Sequence, residues 1–261
     1  DPVKKGDIIG LCGNSGRSPY PHLHFQLQKT PHIGSKTLHY PLSNYLMKKN
    51  GKMSLKTHSV PQKDEKIITT QNHPLFEKAF HFLPGRKLRY EISDHPLKWL
   101  KGSHTWEVKT DEYNNSYFEC LRTGAVAYFY NNGNIHYFTN FIGTRKSLLY
   151  YFYLGFYKVL TGYYHDLTID DNLPPDKVYG GIRLLLQDFA APFCIYMKAP
   201  YKLSYLLLDE DFYEAKASVK ASISKSKKER LEFDIQLSGQ CISEFHFRQK
   251  NLEFKALCTE S

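Results

Sequence analysis

Near the end of the sequence apolar side chains take every second position. Leu231, Phe233, Ile235 and Leu237 are separated by Glu232, Asp234 and Gln236, and Leu252, Phe254, Ala256 and Cys258 repeat the pattern. A period of two sends one set to one face of a pleated strand and the other set to the opposite face, so both segments are expected to be strands buried on one side. Gly239-Gln240 turns the first of them into a strand from Cys241 to Phe247, which makes this region a β-meander. Earlier, Tyr128 to Phe138 reads as a hairpin, with Asn132-Gly133 suited to a type I′ turn. The 20 Tyr and 17 Phe fit the same reading, because flat rings pack well on half-buried pleated surfaces.

The expected fold class is therefore mainly β. A short antiparallel segment comes first, followed by a larger antiparallel β-sandwich or barrel-like domain with one or two helices. Lys146 to Leu160 and Lys177 to Phe189 are the helix candidates, although the aromatics of the first lie almost all round and suit a buried strand pair equally well. Residues 1–50 form the first segment. Residues 51–66 are polar and turn-rich and read as a linker, and residues 67–261 form the aromatic-rich β-domain.

Charge is unevenly placed. Residues 1–60 hold nine Lys or Arg against Asp1 and Asp7, a net +7 of the chain's +9. Such a bias suits an anionic partner or a solvated basic face. Nucleic acid ranks last among the partners, since no basic run is interleaved with stacking aromatics in a known module. Cys12, Cys120, Cys194, Cys241 and Cys258 are widely spaced, with no C-x-x-C pair, which excludes a zinc ribbon and a disulfide framework. The longest apolar run, Ser147 to Tyr157, is far short of the ~20 residues that cross a bilayer. No signal peptide is visible, and the opening Asp1-Pro2-Val3 is expected to be the start of a piece of something longer.

The first segment carries the chemistry. Gly10, Gly13 and Gly16 permit positive φ, and Asn14 and Ser15 favour turns, so two short strands are expected around a tight loop. Pro19 and Pro21 close that loop before His22-Leu23-His24. In an extended strand His22 and His24 point the same way, about 6.6 Å apart, with Leu23 and Phe25 packed on the other side. One imidazole can then bind a metal while its neighbour stands where a polarised carbonyl would sit.

Residues 3–27, with the pattern V-x-x-G-x-x-I-G-x-x-G-x-S-G-x-S-x-x-P-H-L-H-F running from Val3 to Phe25, closely resemble the C-terminal part of the lysostaphin-like (LytM-type) zinc endopeptidase domain. A looser likeness extends to about residue 47. The resemblance implies a zinc enzyme of the cell envelope that cuts peptide cross-links of bacterial peptidoglycan, with that polymer or another anionic wall polymer as its partner. It implies His24 as a zinc ligand and His22 as the catalytic histidine that orients the water or stabilises the oxyanion. A catalytic zinc takes three protein ligands and a water. The family's other ligands come from an H-x-x-x-D element before this motif, and none of the twelve histidines here has Asp four residues later. The Zn²⁺ therefore requires further ligands upstream of residue 1, and the isolated chain is expected to be inactive.

The remaining polar candidates have plainer readings. His73 and Glu77 share the right spacing but follow the motif, and read as a structural coincidence. Arg17 reads as a solvent-facing turn residue, Cys12 as a small buried residue with no base beside it, and Asp209-Glu210-Asp211 as a solvated loop. A biotinyl or lipoyl carrier also shares the K-x-G-D-x-I-G string, but lacks its modifiable lysine tip here. The competing function is a non-catalytic cell-envelope binding or regulatory protein that works through residues 67–261.

Overall fold

The computed structural model describes residues 2–4, 6–14, 16–165, 167–190, 192, 197–209, 216–226, 229–239 and 241–260. Lys5, Ser15, Cys194, Glu210, Asp211 and Gln240 lie outside the described residues, so the Asp209-Glu210-Asp211 loop is defined only at Asp209.

The fold is mainly β. In chain order the elements are β1 (Leu27–Gln28), β2 (Thr37–Leu38), β3 (Leu42–Lys49), β4 (Lys52–Ser59), β5 (Lys66–Ile68), α1 (Pro74–Ala79), β6 (Lys87–Ile92), β7 (Gly102–Thr110), β8 (Ser116–Cys120), β9 (Val126–Asn131) and β10 (Ile135–Ile142). They continue with α2 (Leu148–Gly155), β11 (Lys158–Leu160), β12 (Leu167–Leu173), α3 (Pro175–Val178), α4 (Ile182–Ala190), β13 (Ala199–Asp209), β14 (Lys216–Ser224), β15 (Arg230–Ser238), β16 (Cys241–Gln249) and β17 (Leu252–Glu260). β1 and β2 pair with each other, and the rest form one 15-stranded sheet in the order β11-β10-β9-β8-β7-β6-β17-β16-β15-β14-β13-β12-β4-β3-β5. Neighbours are antiparallel except β4 and β12, which run parallel.

This sheet curls around a buried helix. In α2 every residue but Tyr151 is buried, because Phe152 meets Trp106 of β7 at 4.9 Å, Phe118 of β8 at 6.1 Å, Phe138 of β10 at 6.0 Å and Phe245 of β16 at 6.0 Å. Strands far apart in the sheet can reach one ring only if the sheet bends round it. The helix approaches so closely that a Cβ on Gly155 would stand 2.8 Å from Phe233 Cδ1. No helix among the described residues is long and apolar enough to cross a membrane.

The alternating segments behave as their period requires. Leu231, Phe233, Ile235 and Leu237 are buried in β15, and Phe254 and Ala256 in β17. In β16 the parity slips between Ile242 and Phe245, because Ser243 is an extra residue opposite the Gln236-Leu237 step and donates its hydroxyl to Gln236 O at 3.0 Å. The Lys146 to Leu160 stretch holds both of its alternatives, helix α2 and then strand β11, and Lys177 to Phe189 contains the end of α3 and most of α4. Four short helices thus stand among the described residues where one or two were expected.

Two local expectations are corrected. The stretch 51–66 is not a plain linker, since β4 fills most of it and pairs with β3 on one side and β12 on the other. Its turn is Asn50-Gly51, where both residues have positive φ, 51° and 77°, and Lys49 opposes Lys52 as in a type I′ hairpin. At Asn132-Gly133 only the glycine has positive φ, 85°, which excludes type I′ and matches the first central residue of a type II′ turn. There Asn132 is held by its side chain, whose Oδ1 accepts from the N–H groups of Asn134 and Ile135, each at 3.1 Å.

Candidate functional site

Among the described residues of 2–26 no paired strand is present, so the two strands expected around the glycine loop are not seen in them. The segment leaves a row of large apolar side chains in solvent, with Leu11 94%, Ile8 88%, Leu23 83% and Phe25 68% exposed. Leu23 and Phe25 therefore do not pack beneath the histidines, although Phe25 meets Tyr40 edge-on at 5.8 Å. Cys12 is exposed as well, contrary to expectation, because no sheet is present to cover it. Arg17 faces solvent.

The two imidazoles keep the spacing of an extended chain. The ring centroids of His22 and His24 are 6.5 Å apart, and both rings are exposed. Ser18 Oγ donates to Tyr20 O at 2.8 Å, and His22 Nδ1 lies 3.0 Å from Ser18 Oγ and 3.2 Å from Tyr20 O. A carbonyl oxygen only accepts, so these partners assign the proton to Nδ1 and leave Nε2 with its lone pair. The Nε2 of His24 lies 3.3 Å from Gln26 Oε1, a contact that suits a proton on Nε2 and a lone pair on Nδ1. The contacts with Ser18 and Tyr20 thus favour the His22 tautomer that carries its proton on Nδ1.

The donor set does not fit a complete zinc centre. His24 and His22 supply two nitrogens at most, against the three protein ligands of a catalytic zinc. Among the described residues no group of three or more His, Cys, Asp or Glu is placed to hold a metal. His73 serves a local purpose: it caps α1, its Nδ1 accepting from Leu75 N at 3.3 Å, and Glu77 N donates to His73 O at 2.9 Å within the helix.

A second concave site went unread in the sequence. Outward-facing tyrosines form a ladder across three strands. Tyr117 of β8 stands directly opposite Tyr128 of β9 with ring centroids 5.2 Å apart, and Tyr130 of β9 stands opposite Tyr137 of β10, also at 5.2 Å. Burial and then the neighbouring Tyr130 raise the pKa of the Tyr137 phenol. Beyond Tyr130 and Tyr137 the surface dips into a cavity of about 470 Å³. Its lining also includes Ser43, Asn44, Thr57 and His58 from the open end of the β3–β4 hairpin, together with Tyr157 and Lys158. His58 sits in left-handed backbone with φ 47°. The sequence signal was Tyr at every second position of β9, opposed by Tyr137. Searched against family models, curated proteins and solved structures, the chain matches none of them.

Proposed function

We propose that residues 3–27 are the closing part of a LytM-type zinc endopeptidase centre that hydrolyses peptide cross-links of peptidoglycan at the cell envelope. His24 is the metal ligand that this chain contributes, and His22 is the histidine beside the scissile bond. The observation that carries the reading is the match from Val3 to Phe25, ending in two imidazoles on one side of an extended chain. The tautomer of His22 supports it, since a lone pair on Nε2 can accept a proton from water or hold it against a developing charge. So does the exposed row of Ile8, Leu11, Leu23 and Phe25, which a peptidase sheet would cover. Two imidazoles do not complete a zinc site, and among the described residues no third metal ligand is grouped with them, so on this proposal the remaining ligands come from outside the 261 residues.

The test measures release of new amino groups from purified peptidoglycan. The 261-residue chain should release none with or without added zinc, whereas the product of the complete reading frame should do so and lose the activity on His24→Ala or His22→Ala. Turnover by the 261-residue chain alone, or a complete product indifferent to both substitutions, would overturn the proposal.

A further inference from the structure

We propose that the tyrosine ladder of β8–β10 and the cavity at its end bind a neutral pyranose oligosaccharide. A sugar ring has an apolar C–H face and an edge of hydroxyls, and the site offers a partner for each. The ladder places aromatic rings on one face of the sheet, and Tyr130 is 47% exposed although it belongs to an interior strand. The cavity wall adds short neutral hydrogen-bonding groups, the Ser43 and Thr57 hydroxyls and the Asn44 and Asn132 amides. Its volume lies within the ~300–1,000 Å³ range of small-molecule sites.

Charge narrows the choice. The lining has a single permanently charged group, the Lys158 ammonium, and that is ion-paired with Asp171. An anionic ligand would find no unpaired cation there, so the lining suits an uncharged one. A peptide adding itself as a strand would need a free sheet edge. β9 lies between β8 and β10, and β10 between β9 and β11, so the tyrosines stand on strands whose backbone groups are already paired. At the tyrosines themselves, ring stacking and side-chain hydrogen bonds are the handles left.

The walls come from separate parts of the chain, the β3–β4 hairpin, the β9–β10 hairpin and the start of β11, and His58 is held at the rim in a backbone conformation that favours glycine. The site shares no residue with the His22–His24 segment, so its failure would leave the endopeptidase reading standing.

The experiment is calorimetric titration of the whole chain with chitohexaose, with cellohexaose and, as a peptide control, with decaproline. Saturable binding of at least one hexasaccharide is expected. Tyr130→Ala and Tyr137→Ala should each weaken it by about tenfold, and Tyr130→Phe should keep most of it. Tyr130 is the more exposed of the pair, so Tyr130→Ala carries the test if Tyr137→Ala lowers the melting temperature. Binding of neither hexasaccharide, equal binding by Tyr130→Ala and the parent, or decaproline competing at the tyrosines would overturn the proposal.

Discussion

His136 packs edge-on against Phe138, their ring centroids 5.0 Å apart at an interplanar angle of 87°, and neither imidazole nitrogen has a hydrogen-bond partner among the described residues. Phe80, Phe82 and Phe129 complete the surround at 5.3 to 5.6 Å. The imidazole thus occupies a phenylalanine position in an aromatic core, where its charged form has no solvation.

Burial pulls the His136 pKa down to about 3 from its ordinary 6.5. Because the folded value is the lower one, the unfolded chain takes up the proton first. Stability is then complete above pH 6.5 and is lost as the pH falls from 6.5 toward 3, by ~1.4 kcal/mol per unit. Near pH 4.5 this single group should cost about 3 kcal/mol. His136→Leu should be neutral to stabilising by ~1 kcal/mol at pH 7.5 and should flatten the acid limb. Urea unfolding at pH 7.5 and 4.5 reads both, and equal acid losses in parent and variant would refute the assignment.

Gly155→Ala sets helix propensity against packing. Alanine is favoured within a helix by about 1 kcal/mol, but its Cβ would meet the Phe233 ring at 2.8 Å to Cδ1 and 2.9 Å to Cγ. Overpacking a core costs ~1–3 kcal/mol, and the carbonyl oxygen of this position also accepts from the Tyr201 hydroxyl at 2.9 Å. We expect a net loss and a lower melting temperature. A raised melting temperature would mean that Phe233 moves aside at no cost.

The two Asn-Gly pairs should respond oppositely to one change. Asn50 has positive φ, so Asn50→Gly relieves a conformational cost and should be neutral or stabilising by a few tenths of a kcal/mol. At position 132 the φ is ordinary and the side chain accepts from two backbone N–H groups, so Asn132→Gly should cost ~1 kcal/mol. Denaturant midpoints of the two variants decide it, and losses of equal size would contradict the difference in turn type.

These turns also mark how far the sequence could be read. The dipeptide signals a tight turn at both places, yet the turn type depends on which residue takes the positive φ. The polar 51–66 stretch hid β4 because its apolar alternation is only two residues long, Met53 and Leu55 between Lys52, Ser54 and Lys56, before Thr57, His58 and Ser59 end it, and Asn50-Gly51 was the clearer signal. Leu231 to Leu237 was legible because that strand has one wet face. Helix α2 was not, because a ring of strands buries it on all sides and erases its period. The His22–His24 spacing followed from backbone rise alone. The tyrosine ladder escaped because Ala127 and Phe129 face the core while Tyr128 and Tyr130 face water, a division that a simple apolar-polar pattern does not record.

Among the described basic residues of 1–60, Lys4, Arg17, Lys29, Lys36, Lys48, Lys49 and Lys52 are exposed to solvent. Lys48, Lys49 and Lys52 are exposed together at the closed end of the β3–β4 hairpin, around Asn50-Gly51, and no salt bridge is formed by any of the three among the described residues. Unpaired surface cations act over about 8–10 Å at ordinary salt and lose their reach as salt rises. If an anionic wall polymer is the partner of this region, Lys48→Gln, Lys49→Gln and Lys52→Gln combined should weaken retention on immobilised polymer several-fold at low salt and have no effect near 1 M salt. The substitutions leave stability within about 0.5 kcal/mol, since they touch only exposed side chains. Unchanged low-salt retention would return the three lysines to the status of a solvated face, whereas a loss that persisted at high salt would show that they make short-range contacts instead of a screened field.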